Sequence, residues 1–180
     1  MIRITAGTLR GRRIPVPPGT RPTSERARQA FFNIIGGRIE GARFLDLFAG
    51  SGAFSFEALS RGAAAAVAVE QSRRNAAAIE RLAREWNVNV TPIAGDVLST
   101  LRRLPGGPFD IVYADPPYDS GSYPALLEAI AASVPLAAGA VVAVEHRRRS
   151  APLPETAGGL RFSRRAEYGE VWISFFGAAA

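Results

Sequence analysis

The chain of 180 residues contains no cysteine, and its 22 basic side chains are all arginine, so lysine is absent as well. Without cysteine there is no disulfide framework and no thiolate metal site. The single histidine, His146, stands beside Glu145. A lone imidazole is more often structural than a ligand, so no metal is expected; the competing reading is that it borders a substrate pocket. Long apolar runs are also lacking. No segment approaches the ~18 uninterrupted apolar residues of a membrane span, and the N-terminus has no apolar run of signal-peptide length. A cytoplasmic protein without membrane contact is expected. No serine-nucleophile arrangement and no phosphate-binding loop is found.

The hydrophobic content of 47% suffices for one domain with a real core and leaves little room for a second. A monomer is expected. Charge is unevenly spread under the net +6: residues 1–28 hold seven arginines against Glu25, and residues 147–165 hold six against Glu155. The remainder is therefore acidic. Basic segments on both sides of an acidic middle suit a phosphate backbone, whereas the bland reading is a solvated arginine surface.

Periodicity divides the chain into recognisable elements. Ile2 to Ile4 and Leu9 to Val16 alternate like two short strands around Ala6-Gly7, and the prolines after Val16 end that unit. Thr23 or Ser24 is placed to cap a helix with Ala27, Phe31, Ile34 and Ile35 on its apolar face, stopped by Gly36-Gly37. From Arg43 onward the pattern becomes strand–helix repeats. Strands are predicted over 44–48, 66–70, 88–94, 109–114 and 140–145, with helices over 53–61, 72–86, 97–104 and 123–134. Near-continuous apolar strands are what a parallel sheet covered on both faces requires. Leu160 to Glu167 and Val171 to Phe176 flank Tyr168-Gly169 as an antiparallel hairpin. The expectation is one α/β domain over 23–180, mostly parallel with that C-terminal hairpin, preceded by a small basic β-hairpin extension over 1–22.

Asp46-Leu47-Phe48-Ala49-Gly50-Ser51-Gly52 carries most of the chemical information, a strand running through a glycine turn into a helix. Its glycines let backbone approach a ligand and turn sharply. Glu70 ends the next strand, 20 residues after Gly50, where a carboxylate accepts from ribose hydroxyls. Both features fit a dinucleotide as well as S-adenosylmethionine. Asp46 favours the latter, because a carboxylate repels pyrophosphate and attracts an ammonium and a sulfonium. Ser55 also stands where the dinucleotide pattern has its third glycine. A turn that merely packs is the bland alternative. Asp96, after Gly95, can accept from an adenine amino group, though such a pair is by itself more often a turn. Thr23, Asp46, Phe48, Ala49, Gly50, Ser51, Gly52, Glu70, Gln71, Asp96, Val97 and Asp115 form the expected cofactor set.

Asp115-Pro116-Pro117-Tyr118 follows the fourth strand of the repeats, at the sheet edge where open α/β sheets bind ligands. An exocyclic amino group is a poor nucleophile because its lone pair is delocalised into the ring. Two acceptors gripping its N–H bonds, the Asp115 carboxylate and the Pro116 carbonyl, would aim that lone pair at a methyl carbon. Neither Pro116 nor Pro117 offers a competing N–H. Tyr118 offers a face on which a flipped base stacks. The chemistry is then in-line displacement, dominated by positioning. Taken alone, the tetrapeptide reads as a stiff turn with an exposed tyrosine.

Together these residues resemble the bacterial 16S rRNA guanine-N2 methyltransferase D family, over nearly the whole chain. The resemblance begins with Ile4-Thr5-Ala6-Gly7, Leu9-Arg10-Gly11-Arg12-Arg13-Ile14, Arg21-Pro22-Thr23-Ser24-Glu25-Arg26 and Phe32-Asn33-Ile34. It continues through Phe44 to Gly52 and Glu57-Ala58-Leu59-Ser60-Arg61-Gly62-Ala63, and closes with Asp115 to Tyr118 and Tyr168-Gly169. It implies a Rossmann-like class I methyltransferase sheet with an N-terminal hairpin, S-adenosylmethionine as cofactor, and a guanine of 16S rRNA in the 30S subunit or an assembly intermediate as target. It also implies that Arg21-Pro22-Thr23 helps hold the methionine end of the donor. Phe54-Ser55-Phe56, Gln29 and Phe31 depart from the family's pattern, which bears on local packing only. The expected RNA contacts are Arg10, Arg12, Arg13, Arg21, Arg147, Arg148 and Arg149. Alternatives are a DNA adenine-N6 methyltransferase, for which the chain has little room for groove-reading elements, and a non-catalytic RNA-binding assembly factor on the same fold.

Overall fold

The computed structural model describes residues 1–16, 25–117, 123–150 and 153–178. Its centre is an eight-stranded sheet in the order β5-β4-β3-β6-β7-β10-β9-β8. The parallel half is β3 (Arg43–Leu47), β4 (Ala65–Glu70), β5 (Val90–Ala94), β6 (Phe109–Ala114) and β7 (Leu136–Arg147). Antiparallel β8 (Thr156–Ala157), β9 (Leu160–Tyr168) and β10 (Val171–Ala178) complete it. Leu45, Leu47, Val112, Val142 and Val144 line one face, while Phe44, Ile111, Tyr113 and Ala143 line the other. Both faces are buried, which is why these strands read as apolar runs rather than alternations.

The first face is covered by α5 (Tyr123–Ser133) and the short α4 (Val97–Thr100). The second is covered by α1 (Glu25–Ile35), α2 (Ala53–Ser60) and α3 (Arg73–Trp86). In α3, Ser72 caps the start by accepting from the Asn75 amide at 3.3 Å, and Asn87 ends the helix at φ +52°. Helix α2 is different: all of its residues except Leu59 are buried, including Ser55, Glu57 and Ser60.

The N-terminal unit explains that burial. Strands β1 (Ile2–Arg3) and β2 (Arg13–Ile14) pair briefly, and Ile4, Leu9 and Ile14 join the same core as Phe31 and Phe56. The Glu57 carboxylate accepts from the Thr5 and Ala6 amides, from the Thr5 hydroxyl at 2.6 Å and from Arg61 at 2.9 Å. Ser60 accepts from the Thr8 amide through its carbonyl and from the Leu9 amide through its hydroxyl. Buried Arg28 bonds the Arg3 carbonyl at 2.7 Å and lies 3.5 Å from Glu57. Gly7 sits at φ +79°, and a Cβ there would lie 1.6 Å from the Ser60 carbonyl oxygen. Glycine is the residue that lets the chain pass so close to α2.

Several expected boundaries move. The strand read over 9–16 shrinks to Arg13–Ile14, because residues 7–12 form turns and the Thr8 and Leu9 amides are spent on Ser60. Gly36 does not end the first helical segment outright: a 3-10 turn, Gly36–Ile39, follows and buries Ile39. Strand β7 begins before residue 140 because Leu136 pairs with Phe109, and it runs past 145 because β10 pairs along it to Arg147. The C-terminal hairpin turns at Gly169-Glu170, since Tyr168 is paired with Val171. The caps proposed at Thr23 and Ser24 lie outside the described residues.

Candidate active site at the carboxyl edge

Strand order reverses between β3 and β6: from β3 the chain steps outward to β4 and β5, then returns on the other side to β6 and β7. Open α/β sheets bind ligands at such a switch point, beyond the carboxyl ends of the strands. The register sets Leu47 opposite Ala114, and the Asp115 amide donates to the Leu47 carbonyl at 3.3 Å. The glycine turn and the Asp115-Pro116-Pro117 segment, far apart in sequence, therefore leave the sheet side by side.

The turn is held by its own strand ends. The Ala49 amide donates to the Val69 carbonyl, and the Gly50 amide donates to Glu70 Oε2 at 2.8 Å. The other Glu70 oxygen accepts from the Ser72 amide at 2.9 Å and the Asn75 side chain at 3.4 Å. Phe48 lies at φ +65°, a left-handed conformation that costs a non-glycine residue of order 1–3 kcal/mol and clusters at functional sites. At Gly52, φ is +77° and a Cβ would come within 3.0 Å of Ile79, whereas at Gly50 it would meet nothing within 4 Å. Gly52 serves packing under α2; Gly50 leaves one side of the turn open.

Asp46 is drawn inward from that turn. It is 2% exposed, and its Oδ2 accepts from the Ser55 amide at 3.1 Å and the Ser55 hydroxyl at 2.7 Å. Burial pushes its carboxyl up to about 7; the Ser55 bonds oppose this and the Glu70 charge adds to it. Ser55, noticed in the sequence only as the replacement of a glycine, is thus the residue that secures Asp46 to the first turn of α2. The available signal was helical: amides in a first turn have no intrahelical acceptor. Asp96, two residues past the end of β5, is exposed and caps α4 through Oδ2, which accepts from the Ser99 amide at 2.9 Å. Gln71 is exposed and Val97 buried.

On the other side of the switch point Asp115 is half-buried, Pro116 buried and Pro117 exposed. Beneath them, the Tyr113 hydroxyl donates to Glu145 Oε2 at 2.5 Å, both side chains being buried. Burial, then the negative charges of Glu145 and Asp115, hold the Tyr113 hydroxyl well above its ordinary range, so it remains a donor. Its ring stacks on Phe54 at 3.8 Å. This pair was not legible in the sequence, because neither residue belongs to a local motif. His146 is 3% exposed, between Tyr123 and Trp172. Its Nδ1 lies 3.2 Å from the Arg147 carbonyl, which can only accept, so Nδ1 carries the proton and Nε2 accepts from the Ser174 hydroxyl at 2.8 Å. Burial lowers its pKa, and the neutral ring has a packing role.

Arg147, Arg148 and Arg149 are exposed where β7 ends, next to β6 in the sheet. Arg10, Arg12 and Arg13 are exposed on the N-terminal unit, with the Arg12 guanidinium 5.3 Å over the Trp86 ring. Thr23, Arg21 and Tyr118 lie outside the described residues. Among the described residues there is no group of three or more potential metal ligands and no helix long and apolar enough to cross a membrane.

The family model described as conserved hypothetical protein 95 matches residues 2–177. The chain is similar to ribosomal RNA small subunit methyltransferase D of Escherichia coli K12, 43% identical over 123 residues that cover 67% of this chain and 62% of that protein. YlbH of Bacillus subtilis, provisionally named an rRNA methyltransferase, is 32% identical over 97% of this chain and 98% of its own. Among solved structures, Escherichia coli yhhF, provisionally named a methyltransferase, superposes with TM-score 0.88 at 33% identity, covering 99% of this chain and 98% of that one. A Salinibacter ruber RNA methyltransferase solved with S-adenosyl-L-homocysteine shares the fold, with TM-score 0.63, 15% identity, and 88% of this chain and 94% of that one covered.

Proposed function

The chain belongs to the family described as conserved hypothetical protein 95, that of the small-subunit rRNA methyltransferases D, and from that premise we propose that it methylates the exocyclic N2 amino group of a guanine in 16S rRNA. The observation that carries the reading is the junction at the switch point, where the Asp115 amide bonds the Leu47 carbonyl and the glycine turn and the proline loop share one edge.

The donor set supports S-adenosylmethionine as cofactor. In a pyrophosphate site the turn amides must face the phosphates; here the Gly50 amide already donates to Glu70, Asp46 is buried behind the turn, and Asp96 follows β5 at the same sheet edge. Carboxylates at the turn and at the neighbouring strand end suit a cationic amino-acid end and ribose hydroxyls. Glu70 is then the ribose acceptor, Asp96 the adenine acceptor and Asp46 the charge behind the turn, with the backbone of Phe48 to Gly52 against the ligand. When bound, this cofactor supplies an electrophilic methyl group on a sulfonium. Asp115 and the Pro116 carbonyl would grip the two N–H bonds of the amino group, and stiff prolines without N–H keep the loop an acceptor surface. Tyr118 is proposed as the stacking face for the flipped base. Arg10, Arg12, Arg13, Arg21 and Arg147 to Arg149 are proposed as phosphate contacts in the 30S subunit or an assembly intermediate.

The test is transfer of tritiated methyl groups to 30S particles lacking the modification, followed by nucleoside analysis. N2-methylguanosine is expected. A ring-nitrogen, C5 or 2′-O-methyl product would reject the roles given to Asp115 and Pro116, and transfer to duplex DNA in place of rRNA would reject the substrate.

A further inference from the structure

A groove of about 230 Å³ separates the end of the N-terminal unit from α3. Pro15 and Val16 line one side, Arg74, Ala78 and Arg81 the other, and Ser51 of the glycine turn also lines it. The spacing of 74, 78 and 81 puts these side chains on one stripe of the helix, so the two guanidiniums face the same space. Both arginines are exposed, and among the described residues neither is ion-paired; Glu80 pairs with Arg84, and Glu85, one turn beyond Arg81, makes no pair with it. Among the described residues no carboxylate lines the groove, although Asn75, which does, donates to Glu70 behind it. Its chemistry is that of an anion site with a partly apolar wall.

Its position says which anion. The groove touches the glycine turn, so whatever fills it lies beside the proposed donor site. Farther along α3, roughly 18 Å from Arg74 to Trp86 at 1.5 Å per residue, Arg12 covers the Trp86 ring and links the groove to the arginines of the N-terminal unit. Arg74, Arg81 and, past Glu85, Arg12 are spread over that length, which fits a polyanion better than a single phosphate. Sheet order also matters: β4 and α3 lie on one side of β3, whereas β7, which ends in Arg147, lies on the far side of β6. The two arginine groups therefore flank the catalytic edge from opposite sides.

We infer that this groove holds a phosphodiester segment of the RNA substrate, with Arg74 and Arg81 on its phosphates. The strand is then gripped on both sides of the target base, by the α3 arginines and by the turn after β7. The inference rests on the rRNA reading above and adds to it a binding surface that the sequence motifs do not contain.

The experiment compares wild type with the double variants Arg74→Gln/Arg81→Gln and Arg74→Glu/Arg81→Glu, binding 30S particles that lack the modification over a series of salt concentrations. Donor affinity by calorimetry and thermal melting are measured alongside. Removing two arginine–phosphate pairs is expected to reduce the log–log salt slope by ~1.4–1.8, at ~0.7–0.9 per phosphate. Particle binding at low salt should fall at least about tenfold, with donor affinity and melting unchanged. An unaltered slope in both variants overturns the inference, and so does a fall in donor affinity without a change in slope, which would assign the groove to the cofactor. Wild-type methyl transfer to the same particles separates the two failures. If wild type methylates them and the variants keep the slope, the groove assignment alone is wrong. If wild type neither binds nor methylates them, the rRNA reading fails and this inference falls with it.

Discussion

Asp46 holds a carboxyl group where charge is expensive. Its pKa in the fold is about 7 against an ordinary 3.8, so the folded state binds its proton more tightly than the unfolded chain. The associated stability is fully present below about pH 4 and is lost as pH rises through 7, at about 1.4 kcal/mol per unit. Asp46→Asn keeps an acceptor for Ser55 and never carries the charge. Its stability relative to wild type should therefore improve by about 2–3 kcal/mol between pH 5 and pH 8, measured by urea unfolding at both pH values. A difference independent of pH would contradict the buried-carboxyl account. Under the proposed function the same charge serves the donor: affinity for S-adenosylmethionine should rise from pH 5.5 to pH 7 in wild type, below the range in which the donor's own amino group titrates, and stay flat in Asp46→Asn. Asp115 differs, being half-buried at the mouth of the loop. Asp115→Ala should retain most donor affinity and lose methyl transfer by about a hundredfold or more, the scale on which misplacing a reactant is felt. Calorimetry together with single-turnover transfer separates the two effects, and a variant that loses both to the same degree would place Asp115 in the donor site alone.

Among the elements, α2 is the one whose surroundings its sequence least suggests. A helix of Ala53 to Ser60 with Ser55, Glu57 and Ser60 reads as half-solvated, yet the sheet lies under it and the N-terminal unit over it. Its polar side chains are buried because each finds hydrogen-bond partners there. Ser55 holds Asp46, Glu57 gathers Thr5, Ala6 and Arg61, and Ser60 fixes Thr8 and Leu9. Glu57→Ala would strand those donors and leave Arg28 buried without its counter-charge. The expected loss is about 3–5 kcal/mol by denaturant unfolding, the range for breaking one side of a buried pair. Glu57→Gln, which keeps an acceptor, should lose less. Equal and small losses in both would mean that the N-terminal unit is held by Ile4, Leu9 and Ile14 alone.

At the scale of the molecule, charge is arranged around the carboxyl edge of the sheet. Asp46, Glu70 and Asp96 stand at or within two residues of the carboxyl ends of β3, β4 and β5, and arginines stand outside them on α3, on the N-terminal unit and after β7. This polarity suits a cationic cofactor inside and a polyanion across it. Reversing Arg147, Arg148 and Arg149 to glutamate should weaken binding to 30S particles and flatten its salt dependence by ~0.7–0.9 for each phosphate released, with donor affinity unchanged. Binding measured at several salt concentrations decides it, since a merely solvated turn would leave the slope as it was.

Local pattern determined a good deal by itself. Strand β6 lies where its apolar run predicts, 109–114, and β3, β4, α2 and α3 shift by a residue at their ends, because alternation, glycine turns and caps are written in neighbouring residues. The glycine turn and the proline loop were legible as separate motifs for the same reason. That both lie at the carboxyl edge was legible too; that they leave adjacent strands was not, because it depends on β6 inserting beside β3 instead of extending the sheet past β5, a choice made by packing across the whole sheet. Nor did the sequence reveal that Ser55 is the partner of Asp46, that Tyr113 bonds Glu145 beneath the loop, or that Arg74 and Arg81 share a groove with Pro15 and Val16. Each of these joins residues through space rather than along the chain, and only the tertiary structure supplies the distance between them.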